Sequence, residues 1–205
     1  MVIRRFRRVI REHGVCGGLI HLARQFFPVH IGLVFKMDTP IATVAAPQIT
    51  IIRYSHLFDV DSETLQDLAE ARGMKLIREF ERLFRIGAQL WIGFCSKEAA
   101  GICWSRSGLT RSDYFVPLET DDANILSCFV FPQFRGRGIY PNMLKHIAST
   151  LGDHNGIRRV FIDCKSWNYP SIRGIEKAGF HIIGRAVCIA LFGRVVFRYP
   201  RYILS

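Results

Sequence analysis

One stretch in the second half of the chain decides the fold. It reads Val130-Phe131-Pro132-Gln133-Phe134-Arg135-Gly136-Arg137-Gly138-Ile139-Tyr140. The run that leads into it, 124–131, is nearly all apolar and predicts a buried central strand, whereas Ile139, Met143 and Ile147 recur at helical spacing. Glycines between a strand and a helix let backbone N–H groups converge at the helix N-terminus, where phosphate binds. On spacing alone, the same glycines are equally typical of a plain tight turn.

The segments on either side alternate between strand-like and helix-like patterns. β-Branched runs bounded by turn residues predict strands, and apolar residues at three- and four-residue spacing predict amphipathic helices. The predicted elements are a strand at 49–54, helices at 61–71 and 76–87, strands at 89–95, 99–104 and 124–131, a helix at 139–151, a strand at 159–164, a helix at 169–178 and a hairpin at 181–198. This order, β-α-α-β-β-β-α-β-α-β-β, predicts a mixed α/β fold.

A second motif lies downstream of the first. It reads Asn168-Tyr169-Pro170-Ser171-Ile172-Arg173-Gly174-Ile175-Glu176-Lys177-Ala178-Gly179-Phe180. One predicted helix and one predicted strand separate it from the Pro-x-x-Arg-Gly-x-Gly run, and together the two motifs resemble the GNAT superfamily of N-acetyltransferases. The resemblance covers roughly residues 49–198. It implies a GNAT-like mixed, mostly antiparallel sheet with flanking helices, splayed at its central strands.

The resemblance implies acetyl-CoA as the acyl-donor substrate and indicates which residues bind it. Backbone N–H groups between Gln133 and Tyr140 would hold the pyrophosphate, and the backbone of Val130 would pair with the pantetheine arm and polarise the thioester carbonyl. Asn168 and Ser171 would face the same arm from the second motif. The implied cofactor-binding residues are Val130, Phe131, Pro132, Gln133, Arg135, Gly136, Arg137, Gly138, Ile139, Tyr140, Asn168 and Ser171.

The proton donor to the departing thiolate is left open by the sequence. Much of the family has a tyrosine at the position of Ile175, and isoleucine cannot donate a proton. Tyr169 is one candidate acid and Tyr140 is another, although each is also typical of a packing aromatic. The alternatives are a thiolate that leaves unassisted, since its pKa is near ~8.5, and a domain that binds the coenzyme without catalysis.

The resemblance also implies an amine acceptor, which must lose its ammonium proton before it attacks. Asp122 is the candidate base because in a regular strand it alternates in phase with Val130 and shares a face with it. Asp121 and Glu119 lie nearby. A solvated acidic loop before a strand gives the same pattern, so the sequence does not fix the base.

Composition limits the class of protein. The chain has 205 residues, of which 49% are hydrophobic and 22% charged. Its longest apolar stretch is about eight residues, far short of the ~18 that span a bilayer as a helix. The six cysteines include no close CxxC pair, and no zinc-type spacing is present. We therefore expect no metal, no disulfide framework and a cytoplasmic location.

The charge surplus is concentrated at the two ends of the chain. The formal net charge is +11, which predicts attraction to polyanions. Residues 1–47 are interpreted as a basic amphipathic N-terminal extension and linker, and residues 48–205 as the acyltransferase domain. The extension fits three roles: a helix packed on the domain, attachment to an anionic membrane surface such as the inner membrane, or a targeting sequence.

Three hypotheses for function follow. The first is transfer of an acetyl group from acetyl-CoA to a primary amine of a small-molecule or sugar acceptor, by direct attack on the thioester. The second is transfer to a protein or peptide amine, and the third is a non-catalytic CoA-binding module at a membrane surface. Nucleic acid is disfavoured as a partner because interleaved aromatic stacking motifs are missing. The sequence leaves open whether the protein forms a homodimer.

Overall fold

A mixed eight-stranded sheet forms the centre of the structure. The computed structural model describes residues 29–39, 49–107, 114, 118–191 and 194–203. The strands, in chain order, are β1 Val29–Asp38, β2 Thr50–Tyr54, β3 Gln89–Cys95, β4 Glu98–Ser107, β5 Asp122–Val130, β6 Arg159–Lys165, β7 His181–Leu191 and β8 Arg194–Ile203. They lie in the order β2-β3-β4-β5-β6-β1-β7-β8. Of the seven strand pairs, β5–β6 is parallel and the other six are antiparallel.

Four helices flank the sheet. They are α1 Ser62–Arg72, α2 Lys75–Arg85, α3 Ile139–Asn155 and α4 Tyr169–Lys177, with short 3₁₀ turns at Leu57–Asp59 and Pro132–Phe134. Helix α1 begins where the Asp61 carboxylate accepts a hydrogen bond from the backbone N–H of Thr64, at 2.7 Å, and it ends at Gly73, whose φ is 80°. Helix α2 buries the apolar stripe Leu76, Phe80 and Leu83.

The helices pack on both faces of the sheet. On one face, the Trp104 ring of β4 makes edge-on contacts with Phe80 and Phe84 of α2, at centroid distances of 5.2 and 4.8 Å. On the other face, α3 lies so close to β4 that a Cβ at Gly101 would be 3.1 Å from the Met143 sulfur. The buried side chains of both faces form the main core. The predicted mixed α/β architecture, with its mostly antiparallel sheet and flanking helices, is confirmed.

The structure corrects one part of the sequence interpretation. Residues 29–38 were expected to be linker between Pro28 and Pro40, but they form β1 in the interior of the sheet. This strand pairs with β6 on one side and with β7 on the other. The side chains of Val34, Phe35 and Met37 are 1%, 0% and 3% exposed. A strand buried on both faces and both edges is part of the folded domain, so a boundary at residue 48 would cut the domain.

The predicted N-terminal helices and membrane-binding face fall within residues 1–28 and lie outside the described residues. Residues 108–113 and 115–117, between the strands predicted at 99–104 and 124–131, lie outside them too. Among the residues that the structure describes, no helix has the length and apolar character needed to cross a membrane.

We predict that a chain beginning at Gln48 does not fold, whereas a chain beginning at Val29 does. Removal of β1 exposes its partner strands and deletes three buried side chains, each of which contributes about 1.5–3 kcal/mol when fully buried. Total stabilities are only about 5–15 kcal/mol. Circular dichroism melting of the two chains and of the full-length protein measures this directly. A cooperative melt of the Gln48 chain at the full-length temperature would contradict the central position of β1.

Candidate functional site

The site begins where the parallel pair β5–β6 comes apart. Pairing runs from Asp122 with Arg159 to Ile125 with Ile162 and then stops, although both strands continue. Strand β6 stays paired with β1 along its length. The rest of β5 stays paired with β4. A gap therefore opens between β5 and β6. This agrees with the prediction of a sheet that is splayed at its central strands.

A bulge in β5 lies beside this gap. Ile102 and Trp104 of β4 pair with Phe129 and Leu126 of β5, so two residues of β5, Ser127 and Cys128, oppose one residue of β4. The φ of Ser127 is 47°, in the left-handed region that non-glycine residues rarely adopt. The bulge shifts the alternation of side chains along β5, so residues before and after it no longer follow one period.

Beyond the bulge, the backbone of Val130 faces the gap. Val130 is paired with Gly101, and the next residue, Phe131, donates its N–H to the carbonyl of Ala100, with an N···O distance of 3.0 Å. This bond makes Val130 and Gly101 a non-hydrogen-bonded pair of the antiparallel ladder. The N–H and C=O of a residue in such a pair point away from the partner strand. The carbonyl of Val130 accepts a hydrogen bond from Nε of Arg135, at 3.1 Å. The N–H of Val130 points into the gap.

Two glycines in left-handed conformations connect this strand end to α3. Gly136 has a φ of 77° and Gly138, the residue that precedes the helix, has a φ of 75°. These turns bring the backbone N–H groups of the helix start toward the gap, and the positive end of the helix dipole points the same way. The glycine spacing predicts this turn into the helix start.

The gap and the glycine turn form one continuous cleft of about 580 Å³. Eight of the twelve residues implied to bind the cofactor line this cleft: Val130, Arg135, Gly136, Gly138, Ile139, Tyr140, Asn168 and Ser171. Arg173 and Lys177 line the same cleft from adjacent turns of α4, although neither is among the residues that the resemblance implies. The charged side chains that the structure shows along the cleft, Arg135, Arg173 and Lys177, are all cationic, which suits a polyanionic ligand.

Four of the implied binding residues do not line the cleft. Phe131 is buried in the core. Pro132 opens the 3₁₀ turn before the glycines. Gln133 donates a hydrogen bond to Glu98, at 3.4 Å, and the Arg137 guanidinium lies 5.6 Å from the centre of the Phe134 ring. These residues shape the turn rather than lining the cleft.

The structure does not bring Asp122 to the cleft. Its side chain is fully buried and forms a two-bond ion pair with Arg159, at 2.7 and 2.9 Å. It lies at the opposite end of β5 from Val130, about 25 Å away at ~3.3 Å per residue. The role as general base is therefore corrected to a structural one. Asp121 and Glu119 are likewise paired, with Arg158 and Arg159, and the Arg158 hydrogen bond lowers the pKa of Asp121.

A carboxylate that the sequence analysis missed does lie beside the bulge. Glu79 of α2 accepts a hydrogen bond from the Ser127 hydroxyl, with an O···O distance of 3.1 Å. Ser127 directly precedes Cys128, which lines the cleft. No local signal in the sequence links Glu79 to Ser127, because the two residues are 48 positions apart.

The two candidate proton donors, Tyr169 and Tyr140, differ in their position relative to the cleft. Tyr169 is 66% exposed and is not among the residues that line the cleft, which corrects its assignment as the acid. Tyr140 lines the cleft, and its hydroxyl is 3.3 Å from that of Ser171. Desolvation by burial, reinforced by the Cys128 thiol, raises the pKa of Tyr140, so the phenol stays protonated at neutral pH.

Tyr140 fits against α4 because residue 174 has no side chain. A Cβ at Gly174 would lie 2.4 Å from Cδ1 of the Tyr140 ring, closer than real contacts allow. The next residue, Ile175, is fully buried in the core. The Tyr140 ring of α3 therefore occupies the space that a side chain at position 174 of α4 would fill.

Metal ligands do not gather in the part of the chain that the structure describes. No group of three or more histidine, cysteine or carboxylate side chains has the spacing to hold an ion there. The expectation of no metal stays a prediction.

Comparison with known proteins identifies the family. Residues 56–180 match the family model described as acetyltransferase (GNAT) family. No significant match was found among curated proteins. At 10–18% identity, the similarity to solved structures concerns the fold.

Three solved structures illustrate the likeness. A GNAT-family acetyltransferase from Colwellia psychrerythraea has a TM-score of 0.54 at 16% identity, and the match covers 83% of this chain and 56% of that one. A GCN5-related N-acetyltransferase from Sphaerobacter thermophilus has a TM-score of 0.52 at 15% identity, with 94% and 59% covered. AAC(6')-Ib in complex with paromomycin and acetyl-CoA has a TM-score of 0.54 at 16% identity, with 75% and 94% covered.

The first two of these proteins are longer, so this chain spans little more than half of their length. The family match covers more than half of this chain and includes both motifs that carried the resemblance. The chain belongs to the GNAT family of acetyltransferases.

Proposed function

We propose that this protein transfers an acetyl group from acetyl-CoA to a primary amine of a small-molecule or sugar acceptor. The observation that carries the proposal is the cleft, which combines an outward-facing strand backbone at Val130, a glycine turn at a helix start and three cations. Coenzyme A has an extended amide-containing arm and several phosphates. Each part of the ligand has a chemically matched part of the cleft.

The coenzyme would bind with its pyrophosphate at the turn formed by Gly136 and Gly138. Its pantetheine arm would continue toward Val130 and pair with the backbone there. A pantetheine amide N–H can replace Arg135 at the Val130 carbonyl, which that guanidinium occupies at 3.1 Å. The displaced guanidinium is then available to the phosphates, which it can bind through two hydrogen bonds.

The N–H of Val130 would supply the electrostatic part of catalysis. When an amine nitrogen attacks the thioester carbon, negative charge develops on the carbonyl oxygen. A fixed backbone donor aimed at that oxygen stabilises the transition state more than the ground state, and one such donor is worth roughly 3 kcal/mol. The intermediate then collapses: the C–S bond breaks, the amide forms and coenzyme A leaves as a thiolate.

Two side chains are placed to move protons in this reaction. Glu79 lies at the bulge through its contact with Ser127 and can accept the proton that the attacking amine loses, directly or through one water. Tyr140 lines the cleft as a neutral phenol and can donate a proton to the thiolate, the role that Ile175 cannot perform. Ser171 holds that phenol in place.

Similarity in fold to a protein solved with an amine compound supports the choice of an amine acceptor. AAC(6')-Ib, which shares the fold, is solved with the amine-bearing sugar compound paromomycin and acetyl-CoA. A protein or peptide amine is the alternative acceptor. A non-catalytic coenzyme-binding module is the alternative from another class, and the absence of any turnover with a broad amine panel would favour it.

Acetyl-CoA should raise the melting temperature of the wild-type protein. A ligand that binds only the folded state stabilises it by about 2.7 kcal/mol at a hundredfold excess over its dissociation constant. Gly136→Asp should abolish this shift because it places a carboxylate at the pyrophosphate. Differential scanning fluorimetry with and without acetyl-CoA measures both effects.

Gly156→Asp is the matched control. Gly156 also has a positive φ, 64° against 77° for Gly136, and open space around its Cα, but it lies at the other end of α3. Both variants should lose similar intrinsic stability, and Gly156→Asp should keep the acetyl-CoA shift. A wild-type protein that shows no shift at saturating acetyl-CoA would refute the proposed cofactor.

Tyr140→Phe should lower kcat by about a hundredfold or more, the range of general-acid contributions. The acetyl-CoA thermal shift should stay intact, because the ring still packs on Gly174. Tyr169→Phe is the control and should cost less than about tenfold, since that phenol lies outside the cleft. Steady-state kinetics with a thiol-release assay separates the two, and equal, small losses in both variants would show that the thiolate leaves unassisted.

A further inference from the structure

Arg135 occupies the backbone carbonyl at which the proposed coenzyme arm would pair. Its Nε donates a hydrogen bond to the Val130 carbonyl, with an N···O distance of 3.1 Å. Its guanidinium lies over the Phe129 ring, 5.5 Å from the ring centre, and Phe129 lines the same cleft. In the structure the side chain therefore lies across the end of β5, and the Val130 carbonyl already has a donor.

This position of Arg135 is one that a ligand can change. The residue is exposed, and water can replace an exposed hydrogen bond at little cost. Among the residues that the structure describes, no carboxylate forms an ion pair with Arg135. The side chain is therefore held at Val130 by contacts with neutral groups, and its charge is not matched by an anion.

The order of residues in the turn places Arg135 beside the proposed phosphate site. Arg135 directly precedes Gly136, at the turn where the pyrophosphate would bind. Rotation about its side-chain bonds, from one staggered rotamer to another, can carry the guanidinium from Val130 to that turn while the backbone stays in place. A guanidinium binds a phosphate through two parallel, charge-assisted hydrogen bonds. A phosphate is therefore a stronger partner for Arg135 than a neutral carbonyl.

We propose that Arg135 is a latch with two positions, which makes the cleft select thioesters that carry phosphates. In the free protein Arg135 holds the Val130 carbonyl. The phosphates of the coenzyme draw the guanidinium away and free that carbonyl for the arm. The inference rests on the proposed binding of acetyl-CoA and adds the residue that couples its two halves.

The selectivity follows from what each ligand offers the displaced side chain. A thioester without phosphates has to displace Arg135 from Val130 and gives it no anion in return. The apparent affinity of such a ligand is reduced in proportion to the fraction of the protein in which the carbonyl is free. Acetyl-CoA avoids this cost because its phosphates bind the displaced guanidinium.

The test compares two ligands of the full-length protein: acetyl-CoA and S-acetylpantetheine, which has the same arm and thioester without phosphates. Arg135→Ala should weaken acetyl-CoA binding by about tenfold or more, because a hydrogen-bonded charge contact is lost. It should tighten S-acetylpantetheine binding by about threefold to tenfold, the net worth of the one hydrogen bond that the arm no longer has to displace. A merely structural role of Arg135 would change both affinities in the same direction. Titration followed by NMR measures both, including weak ones.

Arg135→Gln separates the two positions of the latch. The Nε2 of glutamine is as many bonds from the backbone as the Nε of arginine, so this variant can keep the hydrogen bond to Val130 without the charge. It should bind S-acetylpantetheine as the wild type does and acetyl-CoA as weakly as Arg135→Ala does.

Arg173→Ala is the matched control, because it removes a cation of the same cleft and leaves the bond between Arg135 and Val130 in place. It should leave S-acetylpantetheine affinity unchanged. A wild type that does not bind acetyl-CoA would be a failure of the proposed function. Intact acetyl-CoA binding without tighter S-acetylpantetheine binding by Arg135→Ala would instead overturn the latch. Equal S-acetylpantetheine affinities of Arg135→Ala and Arg135→Gln would also overturn it.

Discussion

The early end of pairing between β5 and β6 is the constraint on which the whole site depends. At one end of this parallel pair, the buried Asp122 carboxylate and Arg159 hold the strands together through two hydrogen bonds. Removal of Arg159 would leave the fully buried Asp122 carboxylate without its ion partner, which is destabilising. At the other end the strands separate after Ile125 and Ile162. Since β5 stays paired with β4 while it separates from β6, its open edge can offer backbone groups to a ligand without unfolding the sheet.

The rest of the molecule is arranged around that free strand end. Strand β4 keeps the outer edge of β5 in place, and β1 keeps β6 in place, so the gap is bordered by paired strands on both sides. The glycine turn directs α3 back over the gap, and Gly174 lets Tyr140 pack against α4. In the proposed reaction, cofactor and acceptor would meet at Val130 from opposite faces of one sheet.

The sequence predicts the elements well and their non-local contacts poorly. Periodicity identifies α3 and β5 because those signals are local. Strand β1 was missed because prolines flank it at positions 28 and 40, and because its partners lie more than 100 residues away in β6 and β7. Nothing in a local window reports such pairing.

The same limit explains the errors at the site. A regular strand puts Asp122 in phase with Val130, but the bulge at Ser127 and Cys128 breaks that alternation. The Asp122 carboxylate instead forms an ion pair with Arg159. Glu79 and Tyr140 depend on contacts between separate elements. The glycine turn was predictable since its chemistry is written in consecutive residues.

The proposed function requires that the Val130 N–H faces an open cleft and donates a hydrogen bond to bound acetyl-CoA. Amide hydrogen exchange, followed residue by residue by NMR, tests it most directly. In the free protein, the Val130 amide should exchange much faster than that of Phe131, which is bonded to Ala100. Saturating acetyl-CoA should protect Val130 and leave Phe131 unchanged. A Val130 amide that is already protected in the free protein, or that acetyl-CoA leaves unprotected, would contradict the account.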